Sequence, residues 1–270
     1  MKKIKIGIIG CGTIGTELAK FVQTECSDKA ELSYLCDHHS EKAAKVKKVL
    51  KSPAKVAELN ELISQSDLIV EAASAGVVSN VVRKAMYFHK RILVMSAGGL
   101  LEIRDWAQLL QRYFGKIVIP SGAIAGLDAL KAARQGKIRE VKLVTRKPPK
   151  GLEEAPFFQT HPFPKLTEKS EVCVFKGPAE KAVKSFPQNI NVAAVLSLYG
   201  IGPSKTNVEI WTPKTYRFNQ HEVTIEGDFG NIRTITQNLP SPHNPKTSAL
   251  AIHSAIASLE KIFSPIKIGT

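Results

Sequence analysis

No apolar run in this chain reaches the roughly 18 residues that a membrane-spanning helix needs, so the sequence offers no such helix. The opening MKKIKIGIIG has lysines followed by apolar residues, as a short secretory signal would. Its apolar part is brief and broken by glycine, however, and it reads as a first strand. A cytoplasmic protein without membrane partners is therefore expected. Cysteine is scarce and scattered: Cys11, Cys26, Cys36 and Cys173 form no C-x-x-C pair. That spacing excludes a disulfide framework and a zinc site, and no metal is expected. A catalytic thiolate at Cys173 is disfavoured, because VCVF is strand-like and lacks an activating helix N-terminus. Internal repeats and low-complexity segments are absent. Aromatic residues make up only 7% of the chain and do not interleave with its lysines. The net charge of +14 thus comes without a nucleic-acid reading motif, and no nucleic-acid partner is expected. A basic surface does attract small anions.

What is present begins at once. KIKIGIIGCGTIGTELAKFV is a buried-type strand running through Gly10, Gly12 and Gly15 into a helix. Gly10 permits the tight turn, Gly12 lets backbone approach a pyrophosphate, and Gly15 lets helix and strand pack closely. The free N–H groups of Thr13, Ile14 and Gly15, at the positive end of the helix dipole, then face the phosphates. ELSYLCD is a second strand ending in Asp37, placed to accept hydrogen bonds from the adenosine ribose. Its charge favours NAD, although His38 and His39 beside it leave NADP open. A plain turn or cap role for Asp37 is the bland alternative.

The first 120 residues alternate strands and helices, which implies a parallel sheet with ligands beyond its carboxyl ends. Small residues follow those strands, in Ala72-Ala73-Ser74, Ser96-Ala97-Gly98-Gly99 and Ser121-Gly122. Ala73, Ser74, Ala97 and Gly98 are accordingly candidate cofactor contacts. After Ser121 the pattern changes. A helix over AIAGLDALKAARQGK leads to the strand REVKLVTRKPPK, ending in two prolines, then to a long loop from about 151 to 170. Four further strands follow: EVCVFKG, NVEIWTP, RFNQHEVTIEG and NIRTITQNL. Their alternation suggests a partly antiparallel sheet with one wet face. The expected class is α/β, a Rossmann-type doubly wound parallel sheet with a second α+β substrate domain. Residues 1–121 form the dinucleotide-binding domain, with a C-terminal helix in 246–270 packing back on it. Residues 122–245 form the substrate, catalytic and dimerisation domain.

In the strand from Asn219 to Glu226, alternation puts Asn219, His221, Val223 and Ile225 on the inward face. His221 is either a core histidine bonded to backbone or the general acid/base of a site. Asn189 and Asn191 lie at a helix start behind Pro187, where one caps the helix and the other is placed for a cofactor amide. PSPHNPKTS offers Asn244, Lys246, Thr247 and Ser248 just before the last helix, either as a carboxylate binder or as a plain cap. Arg146 and Lys147 are either substrate cations or surface charge.

The glycine fingerprint, PSGAIAGLDAL, RKPP, FPQNINVAA, the N-x-H-E strand, GDFG and NPKTS occur in this order along the chain. That set resembles the L-aspartate dehydrogenase family over essentially the full length. The resemblance implies oxidation of L-aspartate to iminosuccinate with NAD or NADP. The imine then yields oxaloacetate and ammonia or feeds NAD biosynthesis. It further implies that His221 is the catalytic acid/base, that Ala123 and Asn189 contact the cofactor, and that the protein is a homodimer. The substrate expected from it is a dicarboxylate amino acid. Another two-domain nicotinamide reductase, of the dihydrodipicolinate-reductase type, would want paired histidines in the second domain. A non-enzymatic dinucleotide-binding protein would leave His221 structural.

Overall fold

Ile4–Ile9 (β1) enters the interior at once, its last four residues fully buried, as a central parallel strand must be. Alternate side chains leave by opposite faces. Ile6 and Ile8 join Leu18, Ala19 and Val22 of the following helix and Ala255 and Leu259 of the last one. On the other face, Gly7 sits so close to Leu62 that a β-carbon would lie 2.7 Å from it. Helices therefore cover both faces. The computed structural model describes residues 2–113, 116–167, 171–187, 190–241, 244–266 and 269, without the side chains of Ala107, Leu110, Pro245 and Lys246.

The chain forms two compact units, Met1–Pro120 with Ile252–Lys267, and Ser121–Ala251 with Ile268–Thr270. In the first, β1 is joined by β2 (Ala30–Cys36), β3 (Lys55–Val56), β4 (Leu68–Glu71), β5 (Arg91–Val94) and β6 (Ile117–Val118). The six-stranded sheet runs β3-β2-β1-β4-β5-β6, every described pair parallel. This is the Rossmann order, whose ligand crevice lies where the strand order reverses, between β1 and β4. Besides most of the last helix, this unit contains α1 (Thr13–Thr24), α2 (Ser40–Val49), α3 (Leu59–Gln65), α4 (Ala75–Tyr87) and α5 (Trp106–Arg112). In α1 the buried residues Gly15, Leu18, Ala19 and Val22 fall at helical spacing along one stripe.

The second unit adds α6 (Leu127–Ala133), β7 (Ile138–Arg146), β8 (Glu171–Pro178), α7 (Ala179–Ser185), α8 (Asn191–Tyr199), β9 (Asn207–Pro213), β10 (Asn219–Gly227) and β11 (Gly230–Asn238). Its five-stranded sheet runs β11-β10-β7-β9-β8, with β7 and β9 parallel and the other pairs antiparallel. Alternate residues of β7 and β10 are buried, giving one dry face and one wet one. Val192 to Ser197 of α8 are all buried, as expected of a helix apolar on every side. In the described part of the 151–170 segment, a short 3-10 turn over Pro156–Gln159 is pinned by aromatic packing. Phe157 stacks on the fully buried Phe186 at 5.1 Å and meets Phe175 edge-on at 6.1 Å.

PSPHNPKTS is not an irregular lead-in to the last helix. Pro240–Ser241 (β12) pairs with Asn244–Ser248 (β13), and α9 (Ala249–Phe263) follows directly. The first N–H of α9, from Ala249, donates to the Leu239 carbonyl at 3.0 Å. The helix end therefore does not present that N–H to a ligand.

Candidate active site

In the first unit the glycine loop has the form its spacing predicts. Gly10 adopts φ 93°, and a β-carbon there would lie 2.5 Å from the Ala72 backbone. At Gly15 a β-carbon would come within 1.8 Å of the Gly10 carbonyl oxygen, so only glycine lets α1 dock on the loop. Gly12 differs, because a β-carbon there would meet nothing within 4 Å. It borders open ground at the start of α1, where no side chain caps the helix and no acidic residue occupies the first turn. A helix start bordered by open space, with no capping side chain and no acidic residue in its first turn, suits a pyrophosphate, so these residues fit a dinucleotide.

Asp37 is built into this loop. Its Oδ2 accepts the Cys11 N–H at 2.7 Å and its Oδ1 accepts the His39 N–H at 2.9 Å. The carboxylate is thereby fixed at the end of β2, with remaining lone pairs for hydroxyl donors. His38 and His39 are exposed, and Glu41 lies 3.7 Å from His39. Burial pushes the Cys11 thiol up to about 12, so it is an inert core group. Burial also raises Cys173, which pairs with Trp211 on the wet face of the second sheet, away from His221.

The rim beyond β4 and β5 is organised by a residue that the motif reading missed. Glu71 is fully buried. Its Oε1 accepts the Ala73 N–H at 2.8 Å and the Ser96 hydroxyl at 2.9 Å, and its Oε2 accepts the Ser96 N–H at 3.0 Å. Burial raises its pKa while these donors pull the other way. Ala73 and Ser74 are exposed on the rim. Ala97 and Gly98 are buried at the start of the 3-10 turn Ala97–Glu102.

In the second unit three strands bring a polar row across the dry face. Thr145 on β7, His221 on β10 and Thr236 on β11 are register partners. Thr145 Oγ1 and His221 Nδ1 are 3.0 Å apart, and the histidine is 3% exposed. The Thr236 hydroxyl and the Asn238 amide both donate to the Ala123 carbonyl at 2.9 Å. The row is thus joined to the SGAIAG loop. Burial and the charge of Lys147 push the His221 imidazole down to about 3, so it is neutral at physiological pH. A buried titratable group held by a hydroxyl beside a cation makes His221 a candidate for the reacting site.

Family sequence models match both halves of the chain. "Aspartate dehydrogenase, C-terminal" covers residues 128–262, and "Homoserine dehydrogenase, NAD binding domain" covers residues 10–113. An L-aspartate dehydrogenase of Methanosarcina barkeri is 42% identical over 99% of this chain and 100% of its own length. The chain belongs to the L-aspartate dehydrogenase family. Another L-aspartate dehydrogenase, from Methanocaldococcus jannaschii, is 38% identical over 99% of this chain and all of its own. The crystal structure of aspartate dehydrogenase from Thermotoga maritima superposes with a TM-score of 0.75. It is 27% identical and covers 99% of this chain and 100% of that one.

Membership makes this an amino-acid dehydrogenase that uses a nicotinamide dinucleotide. It also disposes of the dihydrodipicolinate-reductase alternative, since the paired histidines His38 and His39 follow β2 in the dinucleotide-binding unit. Of the residues that family resemblance singles out, Ala123 accepts the hydroxyl of Thr236, the register partner of His221. Asn189 lies outside the described residues. Asn191 occupies the first position of α8, after Ile190, and does not cap it. Asn244, Thr247 and Ser248 lie on β13, with Ser241 opposite Asn244, while the side chain of Lys246 is outside the description. Thr145, Thr236, Asn238 and Glu71 were not found from sequence. Thr145 alone left a signal, being in the inward phase of VKLVTR with Val141 and Leu143. Among the described residues no cluster of His, Cys, Asp and Glu could hold a metal, and no helix is long and apolar enough to cross a membrane.

Proposed function

We propose that this chain oxidises L-aspartate at its amine-bearing carbon, with NAD preferred over NADP, giving iminosuccinate that water converts to oxaloacetate and ammonia. The observation that carries the reading is the buried His221, neutral and held through Nδ1 by Thr145, beside the Ala123 loop in a chain similar to L-aspartate dehydrogenases end to end. The bound dinucleotide supplies the hydride acceptor. This chain's own residues supply the rest. Because Thr145 engages Nδ1, Nε2 is the ring nitrogen that takes the proton from the substrate amine and later activates water. The N–H groups of Thr13, Ile14 and Gly15 hold the pyrophosphate, and Asp37 takes the ribose hydroxyls, which is the basis for the NAD preference. Asn244, Lys246, Thr247 and Ser248 are assigned to one substrate carboxylate. Asn189 and Ala123 are assigned to the cofactor. The second unit is assigned the substrate, catalytic and dimerisation roles. Family likeness supports a homodimer, four unpaired cysteines suit the cytoplasm, and the imine is placed in the supply of NAD biosynthesis.

The test is NADH formation with L-aspartate, glutamate, alanine and homoserine, for the wild type and His221→Ala. Aspartate should be the favoured substrate, and the variant should lose about 100-fold or more in kcat while still binding NADH. No turnover of aspartate sinks the substrate, and an unimpaired variant sinks the assignment of His221.

A further inference from the structure

β4 and β5 end side by side, and one carboxylate joins the loops that leave them. Glu71 is the last residue of β4 and the register partner of Val94, the last residue of β5. Backbone pairing runs one step further, where the Met95 N–H donates to the Glu71 carbonyl at 2.9 Å. From there the Glu71 side chain takes over. Its Oε1 accepts the Ala73 N–H at 2.8 Å, from the loop after β4. Its Oε2 accepts the Ser96 N–H at 3.0 Å, from the loop after β5. The Ser96 hydroxyl adds a third bond, to Oε1 at 2.9 Å.

Burying a carboxylate is costly even when donors satisfy it, and an apolar side chain would fill the space at less cost. What the carboxylate supplies is geometry: two acceptors a fixed distance apart, each taken by the N–H of a different loop. The segment it holds is packed tightly. A β-carbon on Gly10 would lie 2.6 Å from the Ala73 nitrogen, and one on Gly99 would lie 2.3 Å from the Ala75 carbonyl oxygen. Residues 72–75 therefore press directly on both the glycine loop and the 3-10 turn Ala97–Glu102. Ala73 and Ser74 are nevertheless exposed, so the backbone that Glu71 fixes is open to a ligand. In a doubly wound sheet of this strand order the dinucleotide spans two halves. Asp37, at the end of β2, marks the adenosine half, which leaves the ends of β4 and β5 to the nicotinamide half.

We propose that Glu71 is a positioning residue for the nicotinamide half of the cofactor, holding the loops after β4 and β5 at the separation that this half requires. It touches no reacting atom. The proposal rests on the dinucleotide seat assigned above and adds the residue that shapes its nicotinamide end.

Glu71→Gln is the informative change, because it keeps the shape and removes one acceptor. Whichever way the glutamine turns, its NH2 faces one of the two N–H groups, and one loop is released. The full-length protein is titrated with NADH and with ADP, which keeps the adenosine and both phosphates but has no nicotinamide riboside. In Glu71→Gln the Kd for NADH should rise about tenfold or more, as expected when a buried donor is left unpaired, while that for ADP holds within about twofold. Retained ADP binding also reports that the dinucleotide-binding unit has folded. In the wild type, NADH should shift the amide resonance of Ser96 and ADP should leave it in place, a measurement that needs no variant to fold. Equal losses of NADH and ADP affinity, or unchanged NADH affinity in the variant, overturn the role of Glu71. So does a Ser96 amide that ignores NADH or responds equally to ADP. In each of these cases wild-type binding of NADH leaves the dinucleotide seat standing. A wild type that binds neither NADH nor ADP overturns both.

Discussion

His221 is held neutral by its surroundings, and that has a thermodynamic consequence that can be measured. Its imidazole falls from the ordinary 6.5 to about 3 on folding, first through burial and then through the charge of Lys147. Between these values the unfolded chain binds a proton that the folded one refuses. Stability therefore rises with pH up to about 6.5 and is lost as pH falls below it. By pH 5 the loss from this one residue is about 2 kcal/mol. Urea unfolding across that range should show the slope in the wild type and a flatter one in His221→Gln. Thr145 is the next residue to test. Thr145→Val removes the hydroxyl at Nδ1 and leaves that nitrogen dry, costing about 1–3 kcal/mol. Because the ring's orientation is what is lost, kcat should fall more than KM rises. The inward placement of His221 could be read from the alternation of NQHEVTIE. The partners of its row could not. Thr145 and Thr236 meet it only through cross-strand register, which joins residues far apart in the chain. Lys147 shows the same limit, because a lysine closing a strand reads equally as surface charge, and only the fold buries it.

Among the elements, the loop between β1 and α1 separates two uses of glycine that the fingerprint merges. Gly15→Ala drives a β-carbon into the Gly10 carbonyl, so α1 must shift. Both thermal stability and NADH affinity should fall. Gly12→Ala meets only open space. Its melting temperature should match the wild type, while NADH affinity drops by about tenfold or more, since the methyl stands where phosphate approaches. Paired thermal melts and NADH titrations check both. The alternating first half was readable because each of its longer strands and helices carries its own period. The β12–β13 pair was not. Pro240–Ser241 is too short to show a period, and its prolines argue for loop.

On the scale of the whole molecule, the residues given roles in the proposed reaction are drawn from both units. The dinucleotide loop, Asp37 and the Glu71-braced rim belong to the first, and Thr145, His221 and the Ala123 loop to the second. The first set alone describes a domain shared by many reactions, and the buried row of the second gives it a direction. The net charge of +14 adds a general attraction for small anions. The central claim is that the amine-bearing carbon of L-aspartate gives up its hydride under proton control by His221. Incubation with NAD and L-aspartate deuterated at that carbon, followed by mass spectrometry of the reduced cofactor, tests it directly. The account predicts one deuterium per NADH with the wild type and almost no labelled NADH with His221→Ala. Unlabelled NADH from the wild type, or full labelling by the variant at the wild-type rate, would contradict it.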